Sequence, residues 1–476
     1  MGFQGDEPIG RDPNTREDVF DVVVIGGGIV GCAMARRFTL EGARVALLEK
    51  ATDILDGASK ANSAILHTGF DAPEGSLELA CVRAGYDEYL SIRGELGLVH
   101  ERSGALVVAW SAAEVDKLEA IRAQAHANGV GDVDLISTDV LRAREPNLSH
   151  KALAALEVPG EGIIDPWSAP YAYLEQAIAS GAQVFTSCEV TGGTFDGETW
   201  SLETGLGPIR ATTVINCAGL FGDRLDASLL GEAHFAITPR KGQFVVFDKA
   251  ARDLVSSIIL PVPTERTKGV VLFRTVFGNL AVGPTAEDQE SRSDASTDEA
   301  ALRGLIGDAV AKIPSLEAMP VTAVYAGLRP ASEEKEYRIQ PHPEKNWITV
   351  GGIRSTGLSG ALGIARHVFG LYEGMGKQHA PLENPASVTA RALAESRPRD
   401  WQAPDHGEIV CQCEMVTRRE IEAALSGPLA ARSLAGLKRQ TRATMGRCQG
   451  FFCTARLAEL TADKFEPPMS QEIGDE

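Results

Sequence analysis

The sequence predicts an α/β protein built from a discontinuous parallel-sheet domain, an inserted sheet-rich α+β domain and a small helical C-terminal module. Three observations carry this expectation. A strand–turn–helix–strand unit opens the chain, glycine-rich segments return near residues 218 and 355, and four cysteines crowd into residues 411–453. A length of 476 residues exceeds what one hydrophobic core organises and fits two or three domains.

In the opening unit, residues 21–25 are a short β-branched run of the buried parallel-strand type. Gly26, Gly28 and Gly31 then spell G-x-G-x-x-G, and a helix is expected over 29–41, closed by Gly42. A second strand, 44–48, finishes in Glu49. The three glycines serve a tight turn, close approach of backbone to a pyrophosphate, and helix-on-strand packing. The helix N-terminus offers free N–H groups and a favourable dipole to that pyrophosphate. Glu49 is placed to accept from the hydroxyls of an adenosine ribose. The unit is therefore read as a Rossmann-like dinucleotide site.

Further strands are expected at 183–186, 213–216, 243–247, 270–273 and 347–350. Helices are expected at 76–96, 113–128, 169–179, 298–312 and 359–371. Two of these segments favour FAD over NAD. TVINCAG (213–219) is a strand ending in a small-residue turn, a common second contact to the nucleotide. ITVGGIRSTGLSGALGIAR (348–366) is a strand, a glycine-rich turn and a helix whose positive end can face the flavin N1/O2 edge. The candidate cofactor contacts are Gly26, Gly28, Ile29, Gly31, Glu49, Lys50, Ser59, Asn62, Ser63, Val190, Ala218, Gly219, Gly352, Arg354, Gly357, Leu358, Ser359 and Gly360.

The cysteines divide into two groups. Cys32, Cys81, Cys188 and Cys217 stand singly among apolar or small residues and read as buried structural thiols. Cys411-Gln-Cys413 and Cys448-x4-Cys453 form two tight pairs separated by thirty-four residues. Four such thiolates suit a [2Fe–2S] cluster; zinc is the competing metal, although C-x-C is cramped for it. Between the pairs, Arg418, Arg419, Arg432, Lys438, Arg439, Arg442 and Arg447 would offset the negative charge of the centre.

Domain limits follow: a tail at 1–18, an oxidoreductase region at 19–395, a linker at 396–406 (SRPRDWQAPDH), an iron–sulfur domain at 407–465 and a tail at 466–476. Within the large region, about 19–80, 150–235 and 325–395 are assigned to FAD binding. Segments 81–149 and 236–324 are assigned to the substrate domain. The formal net charge of −19 argues against a nucleic-acid-binding surface. No apolar run is long enough to insert into a membrane, and no signal-type stretch opens the chain, so a cytoplasmic protein is expected.

Cys411–Cys413 with TRATMGRCQGFFC (441–453) resembles the bacterioferritin-associated-ferredoxin-type cluster domain. The same module ends the A subunit of anaerobic glycerol-3-phosphate dehydrogenase and some opine and amine dehydrogenases. Residues 20–49, AGLRP (326–330) and GGIRSTGLSGALGIA (351–365) resemble that A subunit too. NSAILHTGFDAPEGSLELACVRAG (62–85) and REPNL (144–148) are similar to L-2-hydroxyglutarate dehydrogenases and oxidases. Together they place most of residues 20–455 in the D-amino-acid-oxidase-like flavoproteins.

The resemblance implies a dehydrogenase that passes hydride from a small anionic secondary alcohol, glycerol 3-phosphate or a 2-hydroxy acid such as L-2-hydroxyglutarate, to flavin N5, and then single electrons through the cluster to an external acceptor or partner subunit. It sets His67 beside the isoalloxazine, as base for a hydroxyl proton or as a covalent link to the flavin. Arg329 is the candidate anion clamp, with Arg354 assisting; Arg240 and Lys241 are either a lining of the substrate domain or solvated charges. Asn62 and Ser63 are candidate flavin or phosphate donors, and GPTA (283–286) is given no role. One departure bears on the substrate. Where glycerol-3-phosphate dehydrogenases carry a Gly-Arg-Tyr-like group after the turn histidine, this chain has Thr68, Gly69, Phe70 and Asp71. That favours a carboxylate such as a 2-hydroxy acid over a phosphate. The alternatives are an amine, amino-acid or opine dehydrogenase, and a non-catalytic electron-transfer subunit.

Overall fold

The computed structural model describes residues 19–263 and 269–469; the expected tail at 1–18 and most of the one at 466–476 lie outside them. The first sheet grows from the opening unit. Strand Val19–Ile25 lies between Val45–Leu48 and Ile209–Asn216, parallel to both, and Gln183–Phe185 extends the sheet beyond Val45–Leu48. The far half of Ile209–Asn216 pairs in parallel with Trp347–Gly351. Antiparallel edges complete an eight-stranded sheet. The central residues Val22, Val23 and Val24 are wholly buried, as a strand covered on both faces requires. One face carries helices Ile29–Leu40, Ser168–Ala179 and Gly357–Gly374, with Phe38 meeting Phe369 and Tyr372 edge-on at 5.1 and 5.2 Å.

Helix Leu77–Ile92 crosses Gly357–Gly374 at glycine contact distance. A Cβ at Gly85 would stand 2.2 Å from the Ser359 carbonyl oxygen, and one at Gly363 2.0 Å from that of Cys81. Two glycines thus let two helix backbones meet and fix the start of the second helix.

The second sheet has nine strands and an independent core. Its spine is the long pair Ile237–Phe247 and Val321–Ser332, antiparallel over eleven register pairs. Helices Ala112–Ala127 and Glu299–Lys312 cover its faces. Strand Ala154–Val158 pairs with Ala105–Ala109, and Val321–Ser332 pairs with Ile237–Phe247, so both strands lie in the second sheet.

The C-terminal module comprises hairpin Ile409–Cys411/Val416–Thr417 and helices Arg418–Ala424, Leu434–Thr441 and Thr454–Thr461 around a small core. It is fastened to the body. Asp53 accepts from the Arg432 backbone N–H at 3.0 Å and from the Ser433 hydroxyl at 2.6 Å, at the start of helix Leu434–Thr441. Gly436 is required there, since a Cβ would lie 2.1 Å from the Asp53 carboxylate. Arg447 grips Asp248 through two bonds of 2.6 and 2.9 Å, and the Arg442 guanidinium, paired with Glu414, lies 3.9 Å above the Phe277 ring. The 396–406 segment, expected as a plain linker, contains a short 3-10 turn at Asp400–Gln402. Buried Arg399 ties it to Glu420 at 3.0 Å.

Asp53→Ala is expected to remove about 1–3 kcal/mol of docking free energy. Faster amide hydrogen exchange over residues 432–441, with unchanged exchange in the 19–25 strand, is the measurement that checks it.

Candidate FAD and iron–sulfur sites

The glycine turn has the geometry of a cradle. Gly26 adopts φ +111°, and a Cβ there would strike the Cys217 carbonyl oxygen at 2.5 Å. At Gly31 a Cβ would stand 1.9 Å from the Gly26 oxygen. Helix Ile29–Leu40 begins with Gly28 as its N-cap, which has no side chain to bond the helix's first N–H groups. Ser59 Oγ accepts from the Ile29 N–H at 3.0 Å.

Glu49 ends the second strand and accepts from the Gly27 and Ala51 N–H groups at 2.6 and 2.8 Å. Burial pushes its carboxyl above the usual range. Val190 starts the strand that follows Cys188, whose N–H donates to the Glu49 carbonyl at 2.9 Å. Lys50, at the surface, places its ammonium 3.5 Å from the Phe221 ring centroid. Ala218 and Gly219 form the turn against Gly26; the Ala218 N–H donates to Asn216 Oδ1 at 3.0 Å.

A second cluster gathers at the start of helix Gly357–Gly374. Ser359 Oγ accepts from the His67 N–H at 2.8 Å and donates to the Ile65 carbonyl at 3.2 Å. Asn62 and Ser63 lie on the loop leading to His67. Asn62 holds that loop by donating to Ser59 O and accepting from the Ala64 N–H. Strand Val321–Ser332 closes on it: Tyr325 donates to the Asn62 carbonyl at 3.0 Å, and a Cβ at Gly327 would meet Ala61 at 2.7 Å. Gly352, at φ +64°, is packed against Ser332 and Arg338, and a Cβ at Gly360 would meet the Tyr337 hydroxyl at 3.3 Å. Gly357 and Leu358 form the first turn of the helix.

His67 has a partner that sequence reasoning missed. Its Nδ1 lies 2.8 Å from Glu161 Oε2, and the other carboxylate oxygen accepts from the Thr68 N–H and hydroxyl at 2.7 and 2.9 Å. Glu161 has no solvent exposure. Strand Gly162–Ile164 pairs antiparallel with Ile65–Leu66, which brings residues ninety-four apart together. The signal available was an acid among glycines just ahead of an apolar pair.

The basic cluster has three members. Arg240 and Arg329 are direct cross-strand neighbours, and Arg354 on the turn after Trp347–Gly351 joins them. Like charges opposite each other oppose pairing. Burial, then the Arg240 and Arg354 charges, pull the Arg329 guanidinium down to about 10; burial and Arg240 lower Arg354 as well. Arg240 is held by Asp288 through two bonds of 2.6 and 3.0 Å. Arg329 donates to the Thr285 carbonyl at 3.0 Å, and no carboxylate pairs with Arg329 or Arg354 among the described residues. Gly242 makes the room, since a Cβ there would lie 2.3 Å from the Arg329 guanidinium. Such an arrangement is suited to an anion.

The four module cysteines form two pairs, Cys411 with Cys453 and Cys413 with Cys448, within hydrogen-bonding reach of one another. Among the described residues no three metal-ligating side chains gather at single-ion distances. Two pairs suit a two-iron group, in which each iron takes two thiolates. Backbone N–H groups of Gly450, Phe451 and Phe452 point at the Cys448 sulfur, and that of Thr444 at Cys453, as a negative centre requires. Cys32, Cys81, Cys188 and Cys217 are buried, and burial raises each thiol, that of Cys81 to about 12.

Residues 21–371 match the FAD dependent oxidoreductase family. The chain belongs to that family. Residues 409–463 match the BFD-like [2Fe-2S] binding domain, so this flavoprotein carries FAD and a [2Fe–2S] centre, and zinc is set aside. It is 32% identical over 462 residues, 95% of this chain and 96% of the relative, to a glycerol 3-phosphate dehydrogenase of Caloramator mitchellensis. An L-2-hydroxyglutarate dehydrogenase of Escherichia coli K12 is 30% identical over 56% of this chain and 64% of its own. The dithionite-reduced L-alpha-glycerophosphate oxidase of Mycoplasma pneumoniae superposes with a TM-score of 0.74 at 26% identity, covering 79% of this chain and all of that one. No described helix of the flavoprotein is long and apolar enough to cross a membrane.

Gly31→Val is expected to yield protein largely without FAD and destabilised by about 1–3 kcal/mol or more, because the side chain has no space against the Gly26 carbonyl. Flavin absorbance per chain and the thermal midpoint check it.

Proposed function

We propose that this chain oxidises the secondary alcohol of glycerol 3-phosphate and hands the electrons to an external acceptor. The observation that carries the reading is the meeting of Arg240, Arg329 and Arg354, two of them without a carboxylate partner among the described residues. Arg240 is neutralised by Asp288, and the two remaining guanidinium groups match the two charges of a phosphate monoester dianion. The end-to-end match to a relative named glycerol 3-phosphate dehydrogenase supports it.

FAD, when bound, supplies the hydride acceptor and the cluster the one-electron outlet. The protein's own residues orient and deprotonate. The Arg329 and Arg354 guanidinium groups anchor the anionic end of the substrate. Glu161 accepts from His67 Nδ1–H, which leaves Nε2 as the basic nitrogen to take the hydroxyl proton as the C–H bond breaks. Ser359 and Thr68 fix the backbone on both sides of that imidazole. The cofactor contacts and the domain limits named from the sequence belong to the same proposal.

A second reading, a 2-hydroxy acid of the L-2-hydroxyglutarate type, is favoured by the loop after His67, which lacks the Arg and Tyr of glycerol-3-phosphate enzymes. An anaerobic absorbance titration of the holoprotein with glycerol 3-phosphate, L-2-hydroxyglutarate, and a panel of amino acids and opines decides between them. Flavin bleaching by glycerol 3-phosphate alone is expected. Bleaching by the hydroxy acid or an amine alone replaces the proposal, and bleaching only by dithionite points to an electron-transfer subunit.

A further inference from the structure

We propose that the iron–sulfur module contributes a residue to the FAD site: Arg439, whose guanidinium takes the diphosphate of the dinucleotide. The proposal rests on membership of the FAD dependent oxidoreductase family and not on the choice of substrate. Arg439 lies in the last turn of helix Leu434–Thr441 and is 5% exposed. Its Nη1 lies 3.4 Å from Asp56 Oδ1, a carboxylate that Lys60 shares at 3.7 Å. Its Nε and Nη2 have no hydrogen-bond partner among the described residues. That edge holds three of the five guanidinium donors, and burying it unbonded is costly.

Two elements flank Arg439, and both lead to the glycine turn. Asp56 follows Leu55, whose N–H donates to the Gly27 carbonyl at 2.9 Å. The Asp56 charge also reaches Glu49, adding to the upward push of burial on the carboxyl that accepts from the Gly27 N–H. On the other side stands Tyr171, whose phenol is raised by burial against the opposing charge of Arg439. Helix Ser168–Ala179, which carries Tyr171, runs parallel to Ile29–Leu40. Arg36 donates to Gln176 at 2.7 Å, and Cys32 adds to the upward push of burial on Tyr173. Tyr171 therefore stands level with the first turn of the helix that opens at the glycines.

The shape of the free edge selects its ligand. Nε–H and one Nη2–H lie side by side and form the fork that grips two oxygens of one anion. With Nη1 turned to Asp56, this fork is the part of Arg439 left to bind. Of the groups in FAD, only the diphosphate offers negative charge on paired oxygens. The body meets a diphosphate with backbone N–H groups of the glycine turn. Arg439 adds a charged partner from the far end of the chain, so release of FAD requires the module to yield.

The test reads FAD release, which does not depend on turnover. Full-length holoprotein is diluted into FAD-free buffer and the rise of free-flavin fluorescence is timed. The chain left with its cluster is then titrated calorimetrically with FAD and with ADP, which carries a diphosphate without the flavin. R439M is expected to release FAD about 10- to 100-fold faster, as for loss of a charge-assisted bidentate contact. Its affinities for FAD and ADP should fall by the same factor, with cluster absorbance at the wild-type level. R439K keeps the stem and the charge but not the fork. It should release FAD at least about threefold faster, and it decides the matter if R439M does not fold. D56N breaks the ion pair and leaves the fork, and should release FAD at the wild-type rate. The proposal is overturned if R439M and R439K hold FAD as wild type does, or if they weaken FAD and leave ADP unchanged. It is equally overturned if D56N releases FAD as fast as R439M, because the guanidinium then acts only by bracing the loop at Asp56.

Discussion

Arg329→Met is expected to raise the KM for the anionic substrate by roughly 30- to 1,000-fold, equivalent to about 2–4 kcal/mol, while leaving the thermal midpoint of the free protein unchanged or higher. The combination is the informative part. An arginine that only completes a structural ion pair would lower stability when removed, because its partner carboxylate would be stranded. Arg329 has no such partner among the described residues and faces two other guanidinium groups. Its charge is therefore a liability in the folded, empty protein.

The sign follows from linkage. The group is pulled down to about 10, below its ordinary value, so the folded state binds its proton less tightly than the unfolded chain. That opposition to folding is complete below about pH 10 and fades as pH rises from there toward the ordinary arginine range. Bound substrate should relieve it at neutral pH, so glycerol 3-phosphate is expected to raise the thermal midpoint of wild type and not of Arg329→Met. Steady-state kinetics with differential scanning calorimetry reads both quantities.

His67→Ala is expected to lower kcat on an alcohol by about 10²–10⁴-fold with FAD still bound, the range for loss of a positioned general base. Glu161→Gln should also lower kcat, by roughly 10²-fold or more, because an amide no longer fixes the proton on Nδ1. The double variant should be hardly worse than His67→Ala, since the two groups act as a unit. Stopped-flow flavin reduction with saturating substrate measures all three. If the single histidine variant reduces flavin at the wild-type rate, the proton is not taken by His67 and a C–N substrate, which needs no alcohol base, takes precedence.

The expected strands and helices were legible because local pattern suffices for them. The helix expected at 29–41 is Ile29–Leu40 and that at 298–312 is Glu299–Lys312. The glycine turn and the cysteine pairs were legible because their chemistry fixes their spacing. What escaped depends on pairing between distant segments. Glu161 reaches His67 only through the Ile65–Leu66/Gly162–Ile164 register, and Arg240 becomes the neighbour of Arg329 only through the long antiparallel pair. The place of Ala154–Val158 and Val321–Ser332 in the second sheet likewise rests on pairing between distant segments. Asp53 gave no signal of its role, because its partners Arg432 and Ser433 lie 379 and 380 residues further on.

Asp53 ties the transfer of the module to the nucleotide turn. Leu55, two positions on, donates its N–H to the Gly27 carbonyl at 2.9 Å, so one short loop braces the nucleotide turn from one side and seats the module with Asp53 on the other. Grafting residues 407–465 onto another flavoprotein would carry over the cysteines but not their alignment. The recipient needs a carboxylate at the equivalent of Asp53, and its own nucleotide turn, for the transplant to sit in register.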